Sequence, residues 1–118
     1  MDHREEKKMQ SVQRLNDLLI EAIDETLASL GEPTRNQVYI LLEADYMIPK
    51  RKIPEQIAEF SSFLYRMFGF HAKIIEIKCM RSFCSKIKKD PHFKNITVFF
   101  EGNDLTFAVY AEKFREAI

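Results

Sequence analysis

Eight basic residues between positions 50 and 89 are the set with the clearest binding chemistry. Three of them form a run between two prolines, and five are spaced along a predicted helix at residues 71–89: Lys50, Arg51, Lys52, Lys73, Lys78, Arg81, Lys88 and Lys89. Lys and Arg side chains bind phosphates and carboxylates. If the run packs beside the helix, we expect a basic surface that contacts an anion or a partner.

Nucleic-acid binding is one hypothesis for this surface. The sequence shows no helix-turn-helix signature, no RNA-binding aromatic motif and no zinc finger beside the basic residues. The acidic first helix would also repel a polyanion if it shared the same face. A protein partner or self-association is therefore favoured over nucleic acid.

Glu76 is predicted to fall within an apolar helical stripe, between Ala72 and Met80. A carboxylate in such a place needs a partner or a gap to solvent, because otherwise its pKa must rise. One interpretation makes Glu76 a polar core anchor or a binding residue. The other, which we favour, makes it a buried partner of an Arg or Lys, or a residue at the rim of the core.

Catalytic and cofactor motifs are absent from the sequence. His3, His71 and His92 are scattered, and none has metal-ligand spacing to a Cys or to another His. No GxSxG, HExxH, Walker or dinucleotide-binding motif occurs, and three glycines are too few for a phosphate-binding glycine loop. The sequence predicts a protein that is not an enzyme, with no cofactor and no metal.

Cysteine usage and hydropathy predict a cytoplasmic protein. Cys79 and Cys84 are the only cysteines, and on one helix they would point roughly 140° apart, so they could not form a disulfide there. A chain without a disulfide framework is typical of a reducing compartment. No apolar run approaches the ~20 residues that span a bilayer, and the N-terminus has no apolar signal core, so no membrane association is expected.

Length and charge distribution predict a single helical domain, residues 1–118. The hydrophobic fraction of 46% is sufficient for a core in a chain of this length. The net charge is zero, but residues 1–45 carry a balance of −5, residues 46–100 one of +7 and residues 101–118 one of −2. This asymmetry indicates either a basic binding face or segments that neutralise each other within the fold, and the second is favoured.

Apolar spacing predicts a mostly α fold of about five helices packed around a buried second helix. Apolar residues recur at spacings of three and four from Val12 to Leu30, whereas residues 1–11 are predicted to be frayed or to form a protruding start of the first helix. Gly31 can end this helix in a left-handed conformation, and Pro33 suits the first turn of the next. Residues 38–42 make the second helix apolar on most sides, which predicts its burial.

Helix and strand signals compete in the second half of the chain. Residues 46–53 are predicted to form a loop, after which Pro54 begins a third helix. The fourth helix contains a locally β-favourable run, residues 74–77.

The end of the chain carries the same ambiguity. Residues 96–100 are predicted to be extended or to form a short β segment. Residues 105–110 form either the second strand of a hairpin or the start of a final helix capped by Asp104, and the helix is favoured.

Parts of residues 20–115 resemble a known family. They are residues 21–43 (EAIDETLASLGEPTRNQVYILLE), Phe68-Gly69, the run from Ala72 to Glu76, and Leu105-Thr106-Phe107. Together they resemble the nitrosopumilus output-domain group, a small archaeal all-helical family without an established activity that also occurs behind receiver or sensor modules. Residues 96–100 and 86–94 depart from its pattern. The resemblance implies a helical signalling or interaction module and supplies no catalytic residue.

Three hypotheses for function follow. The first is a non-enzymatic interaction or regulatory domain, homodimeric through its long first helix. The second is a nucleic-acid-associated protein that uses the basic run and the fourth helix. The third is a small-ligand sensor in which Glu76 reads a pocket opened by aromatic residues, namely Tyr39, Phe60, Phe63 and Phe83.

Overall fold

The computed structural model describes residues 3–99 and 106–118, which form five α-helices and two 3-10 helices. The α-helices are α1 (His3–Ala28), α2 (Glu32–Tyr46), α3 (Ile57–Phe68), α4 (His71–Lys89) and α5 (Phe107–Glu116). The first 3-10 helix is Lys50–Glu55 and the second is Pro91–Phe93. The described residues contain no strand. The predicted mostly α class with about five helices is confirmed.

The centre of the fold is the contact between α1 and α4. Seven residues of α1 and six of α4 are buried, and no other pair of helices is in such extensive contact. α2 packs against α1 and α3, and α5 packs against α3 and α4. The buried apolar side chains form one cluster, which contains Phe60, Phe83 and Phe107. Apolar residues at spacings of three and four produce this arrangement because they place one stripe of each helix inward.

The prediction that α2 is buried on most sides is wrong. Only Val38 and Leu42 of its 15 residues are buried, and Ile40 is 62% exposed. The elements in extensive contact with α2 are α1 and α3, which cover one side of it. An apolar run shows that a helix can be buried, but it does not show that a neighbouring element is available to cover every side.

Gly31 and Pro33 form the corner between α1 and α2, but Gly31 does not end α1 as predicted: it is the N-cap of α2, and its ψ of 143 lies outside the left-handed helical region. α1 ends at Ala28, and Gly31 then adopts φ +110, a conformation that a residue with a Cβ rarely takes. Pro33 lies in the first turn of α2, where a missing N–H leaves no hydrogen bond unmade.

The predicted loop at residues 46–53 is only partly correct. Tyr46 still belongs to α2, and residues 50–53 lie in the first 3-10 helix. This 3-10 helix also contains Pro54, so α3 begins at Ile57 rather than at the proline. Proline suits a tight turn because its φ is already close to the helical value.

The strand alternatives are not formed in the described residues. Residues 74–77 lie within α4, and residues 96–99 adopt no regular secondary structure. Residues 107–110 belong to α5, and its cap is Thr106, whose hydroxyl accepts a hydrogen bond from the Val109 N–H at 3.2 Å. Asp104, the predicted cap, and residues 100–105 lie outside the described residues.

Candidate interaction surface on the fourth helix

The basic run at residues 50–52 packs with α1 rather than standing free. The first 3-10 helix, which holds this run, lies against α1 and α3. Lys50 Nζ lies 2.8 Å from Asp24 Oδ1 and 4.8 Å from the centre of the Tyr39 ring. Lys52 Nζ is 4.0 Å from Glu55 Oε2, and Arg51 is exposed. The structure therefore ties this run to α1 through Lys50.

The five basic residues of α4 that were predicted as contacts lie on its exposed side, which we call the outer face of α4. This face is defined by residues that are all exposed: Phe70, Lys73, Ile74, Ile77, Lys78, Arg81, Ser85, Lys88 and Lys89. In the part of the chain that the structure describes, none of its five basic side chains forms an ion pair. The outer face therefore carries five positive charges that the fold leaves open.

Three large apolar side chains interrupt these charges. Phe70, at the N-cap of α4, is 96% exposed, and Ile74 and Ile77 are 53% and 37% exposed. Their spacing of four and three residues places them along one side of the helix. Sequence analysis missed them because it noted residues 74–77 as a locally β-favourable run within the helix and made no prediction for Phe70. The available signal was a large aromatic residue directly after Gly69, where no core position requires one.

Lys86 shows how the opposite edge of α4 differs. Its Nζ lies 2.6 Å from Glu25 Oε1 and 3.8 Å from Glu21 Oε2, both on α1. Ser82 donates a further hydrogen bond to Glu25 at 3.3 Å. The hydrogen bond from Lys86 holds the pKa of Glu25 below its ordinary value, despite the opposing effect of burial. Along this edge, acidic and basic segments neutralise each other within the fold.

A groove of about 390 Å³ extends from the outer face toward α5. It is lined by Arg81, Cys84, Ser85, Lys88, Lys89 and Tyr110. Burial and a hydrogen bond with Cys84 raise the pKa of Tyr110. Three of the predicted contact residues, Arg81, Lys88 and Lys89, thus converge on one groove.

Glu76 is buried within the apolar stripe of α4, as its spacing predicts, and is 7% exposed. Its Oε1 has no hydrogen-bond partner among residues 3–99 and 106–118, and no Lys or Arg in those ranges forms an ion pair with it. Cys79 follows one turn later, and burial raises the pKa of this thiol to about 12. Of the two favoured alternatives, the buried ion pair is therefore not seen among the described residues, and the position at the rim of the core stays a prediction.

The aromatic residues of the sensor hypothesis are packed into the core. Phe60, Phe63 and Phe83 are all at most 3% exposed, and Phe63 makes an edge-to-face contact with Tyr46 at 5.4 Å. Tyr39 donates a hydrogen bond to Asp24 Oδ1 at 3.0 Å. These four side chains serve the packing and the charged edge of α1, and the α4–α5 groove lies elsewhere.

Within the described ranges, no group of three or more His, Cys, Asp or Glu side chains is placed to hold a metal ion. No helix there combines the length and the apolar character needed to cross a membrane. No family model matches the chain, and no curated protein or solved structure is significantly similar to it.

Proposed function

We propose that the protein is a non-enzymatic interaction module that binds an acidic, amphipathic helix of a protein partner on the outer face of α4. The observation that carries this proposal is the combination on one face of exposed Phe70, Ile74 and Ile77 with five basic residues that form no ion pair within residues 3–99 and 106–118. Neither the apolar side chains nor the basic side chains alone would define the partner. Together they specify a ligand with both apolar and acidic groups.

The apolar component supports an anchored contact. Phe70, Ile74 and Ile77 lie at i, i+4 and i+7, the spacing that amphipathic helices use against grooves and helix faces. Aromatic and Arg side chains dominate the energetics of protein interfaces. Phe70 supplies an exposed aromatic ring that packing within the described chain does not require.

The basic component supports an acidic ligand. Lys73, Lys78 and Arg81 flank the apolar side chains on the same exposed surface. Since they have no ion pair within the described chain, a carboxylate-bearing partner can pair with them without breaking an internal contact. Such charges chiefly raise the association rate and set specificity.

α1 is a weaker candidate for the contact surface. Its apolar stripe, which includes Leu19, Ile23 and Leu27, is buried inside the chain. The first turns of α1, residues 3–10, are exposed but polar apart from Met9. Pairing of two copies through the stripe of α1 would require the core to open.

The proposed setting is regulatory and cytoplasmic. The resemblance to an output-domain family supports a module that passes a signal to a partner through binding rather than catalysis. Cys79 and Cys84 are free thiols, which suits a reducing compartment.

A designed peptide tests the proposal. The probe is a fluorescein-labelled helical peptide with Leu at i, i+4 and i+7 and Glu at the flanking positions, and binding is measured by fluorescence anisotropy. We expect saturable binding that weakens about tenfold in Phe70→Ala, equivalent to about 1.4 kcal/mol. Arg81→Glu should also weaken it. Lys94→Glu, an exposed charge outside the outer face, is the matched control.

The same assay with single-stranded RNA and duplex DNA separates the alternatives. Equal peptide binding by wild type, Phe70→Ala and Arg81→Glu would contradict the proposal. Tight binding of RNA or DNA that falls steeply with salt would instead support the nucleic-acid hypothesis, because phosphate contacts release counterions.

A further inference from the structure

A cavity of about 310 Å³ lies between α4, the second 3-10 helix and α5. We call it the inner cavity, and its apolar lining consists of Ile87, Phe93, Ile96, Val98 and Phe114. Ile87, Phe93 and Phe114 are buried, whereas Ile96 and Val98 are half-buried and pack against the edge of the core. Protein sites for small molecules have volumes upward of about 300 Å³ and are mostly apolar with a few polar groups. The inner cavity has this size and this character.

The inner cavity meets the groove on the outer face of α4 at three shared side chains, Cys84, Lys88 and Tyr110. Tyr110 and Cys84 are hydrogen-bonded to each other. Lys88 is exposed, so this junction opens to solvent through the groove. We call the junction and the groove the mouth of the cavity. Lys88 therefore places an ammonium group where the apolar lining ends.

Positive charge at the mouth has no counterion in the fold. Arg81 and Lys88 are seven residues apart, which places them on the same side of α4, two turns from each other. Neither forms an ion pair within residues 3–99 and 106–118. Among the described residues that line the cavity or the groove, none is Asp or Glu. An anionic group at the mouth can therefore pair with Lys88 without breaking an internal contact.

We propose that the inner cavity binds a small monocarboxylate, with its apolar body against Phe93, Val98 and Phe114 and its carboxylate paired with Lys88 at the mouth. A single negative charge matches the one ammonium group that lines both the cavity and the groove. At about 30 Å³ for each water-sized group, 310 Å³ holds about ten non-hydrogen atoms. Octanoate has this size and is the probe.

This site is separate from the one in the proposed function. The partner helix is anchored by Phe70, Ile74 and Ile77, none of which lines the inner cavity or the groove. A free small molecule in the cavity is thus a second activity of the protein. Either site can fail without the other.

Isothermal titration of the full chain with octanoate at neutral pH and low salt tests the charge at the mouth. Titration to about 10 mM detects a Kd of about 1 mM, and we expect saturable binding of one molecule per chain. Lys88→Gln should weaken octanoate binding about fivefold, the upper range for an exposed ion pair, and leave binding of 1-octanol unchanged. Lys78→Gln removes the same charge from the same helix outside the cavity and the groove, and it should bind octanoate as wild type does.

Chain length and cavity filling test the apolar part of the site. Hexanoate has two methylenes fewer than octanoate and should bind about fifteenfold more weakly, at about fourfold for each methylene. Val98→Trp fills the cavity from its half-buried wall and should weaken octanoate binding at least tenfold, with circular dichroism to check the fold. Amide chemical shifts of the wild type give the same information without a substitution. Octanoate should move the resonances of residues 84–98 and 110–114 and leave those of α2 in place.

Four results would overturn the inference. They are the absence of saturable octanoate binding, equal effects of Lys88→Gln on octanoate and 1-octanol, equal affinity for hexanoate and octanoate, and shifts centred outside the residues that line the cavity. Phe70→Ala separates this site from the partner site, because it should weaken binding of the designed acidic peptide and leave octanoate binding unchanged. Peptide binding without octanoate binding would overturn only this inference, and octanoate binding without peptide binding would overturn only the proposed function.

Discussion

α1 and α4 are the two longest helices of the described residues, and their charged residues differ in whether they form ion pairs within the chain. On α1, Arg14, Asp24 and Glu25 each form an ion pair with another part of the chain. On α4, Lys86 faces α1 and is paired, whereas the outer face carries five charges without a partner in the described chain. The position of a charge relative to neighbouring elements, and not its type, decides whether it stabilises the fold or stays open to a partner.

Asp90 illustrates the paired class. It lies at the end of α4 and is buried. Its Oδ2 accepts a hydrogen bond from Arg14 Nε of α1 at 2.9 Å and lies 2.7 Å from Arg14 Nη2 in the same ion pair. The His92 N–H donates to its Oδ1 at 2.9 Å. The bond from His92 and the bond from Arg14 hold the pKa of Asp90 below its ordinary value, against the effect of burial. This carboxylate joins the C-terminal end of α4 to the middle of α1, whereas Lys88 and Lys89 beside it stay exposed.

The largest expected effect comes from breaking the buried side of α4. Phe83 is fully buried and meets Phe114 edge to face at 5.3 Å. Phe83→Ala should lower the free energy of unfolding by about 3–5 kcal/mol, because it leaves a cavity. Phe70→Ala, the same change on the outer face, should alter it by less than about 0.5 kcal/mol. Urea denaturation measures both, and a comparable loss in Phe70→Ala would mean that the outer face belongs to the core.

Removing a paired charge from α1 should have the next largest effect. Asp24 accepts hydrogen bonds from Lys50 at 2.8 Å and from Tyr39 at 3.0 Å, with Arg35 at 3.5 Å. Burial alone would raise its pKa, but these contacts outweigh it and lower the pKa below 3.8. Asp24→Asn should cost about 1–2 kcal/mol at neutral pH, whereas Asp45→Asn, an exposed carboxylate of α2 with no ion pair within the described ranges, should cost almost nothing.

The lowered pKa of Asp24 also predicts how the stability difference between wild type and Asp24→Asn changes with pH. A carboxyl whose pKa is lowered in the folded state stabilises the protein above its unfolded pKa of about 3.9, and the contribution is lost as pH falls through the folded value. The gap in unfolding free energy between wild type and Asp24→Asn should therefore be constant at neutral pH and close in acid. A gap that widened in acid would contradict the assigned contacts.

Local signals predicted most helices because caps and periodicity act over a few residues. Gly31 and Pro33 mark the first corner, and Pro33 lies in the first turn of α2 as expected. The exposure of Ile40 could not be predicted from local signals, because it depends on which elements lie against α2. Short-range physics decides where a helix begins and ends, while tertiary packing decides which side is covered.

The sequence identified the basic residues of the candidate site, but it did not show which of them form ion pairs within the fold. Lys50 and Lys86 look like the other basic residues in sequence, yet one pairs with Asp24, 26 positions away, and the other with Glu25, 61 positions away. Such long-range pairs leave no periodic signal. Phe70 was missed for the converse reason, because a single exposed aromatic residue has no pattern around it.

Glu76 offers a smaller test of the buried side of α4. Its carboxylate lies among apolar residues, and Oε1 has no hydrogen-bond partner within the described ranges. Replacing an unpaired buried polar group with an apolar side chain of similar volume is neutral or stabilising. Glu76→Leu should therefore raise the free energy of unfolding by about 1 kcal/mol, with Glu76→Gln between the two. Destabilisation by Glu76→Leu in urea denaturation would show that the carboxylate is held by a contact that stabilises the fold.

Two lysines two positions apart on α4 give the finest test of the comparison. Lys86 is paired with Glu25 and Glu21 of α1, whereas Lys88 belongs to the open outer face. Lys86→Gln should cost about 0.5–1 kcal/mol at low salt, the ordinary value of a partly exposed ion pair. Lys88→Gln removes the same charge near the same helix end and should change stability by less than about 0.5 kcal/mol.

High salt should further distinguish the effects of substituting these two lysines. At 1 M salt the screening length falls to about 3 Å, so the cost of Lys86→Gln in thermal or urea unfolding should shrink toward that of Lys88→Gln. Binding of the acidic peptide should show the reverse order, with Lys88→Gln the weaker binder and Lys86→Gln close to wild type. If both substitutions changed stability and binding alike, pairing would not be what separates the charges of α4. If Lys86→Gln lowers stability more and Lys88→Gln lowers peptide binding more, then some charges of α4 stabilise the fold and others bind a partner.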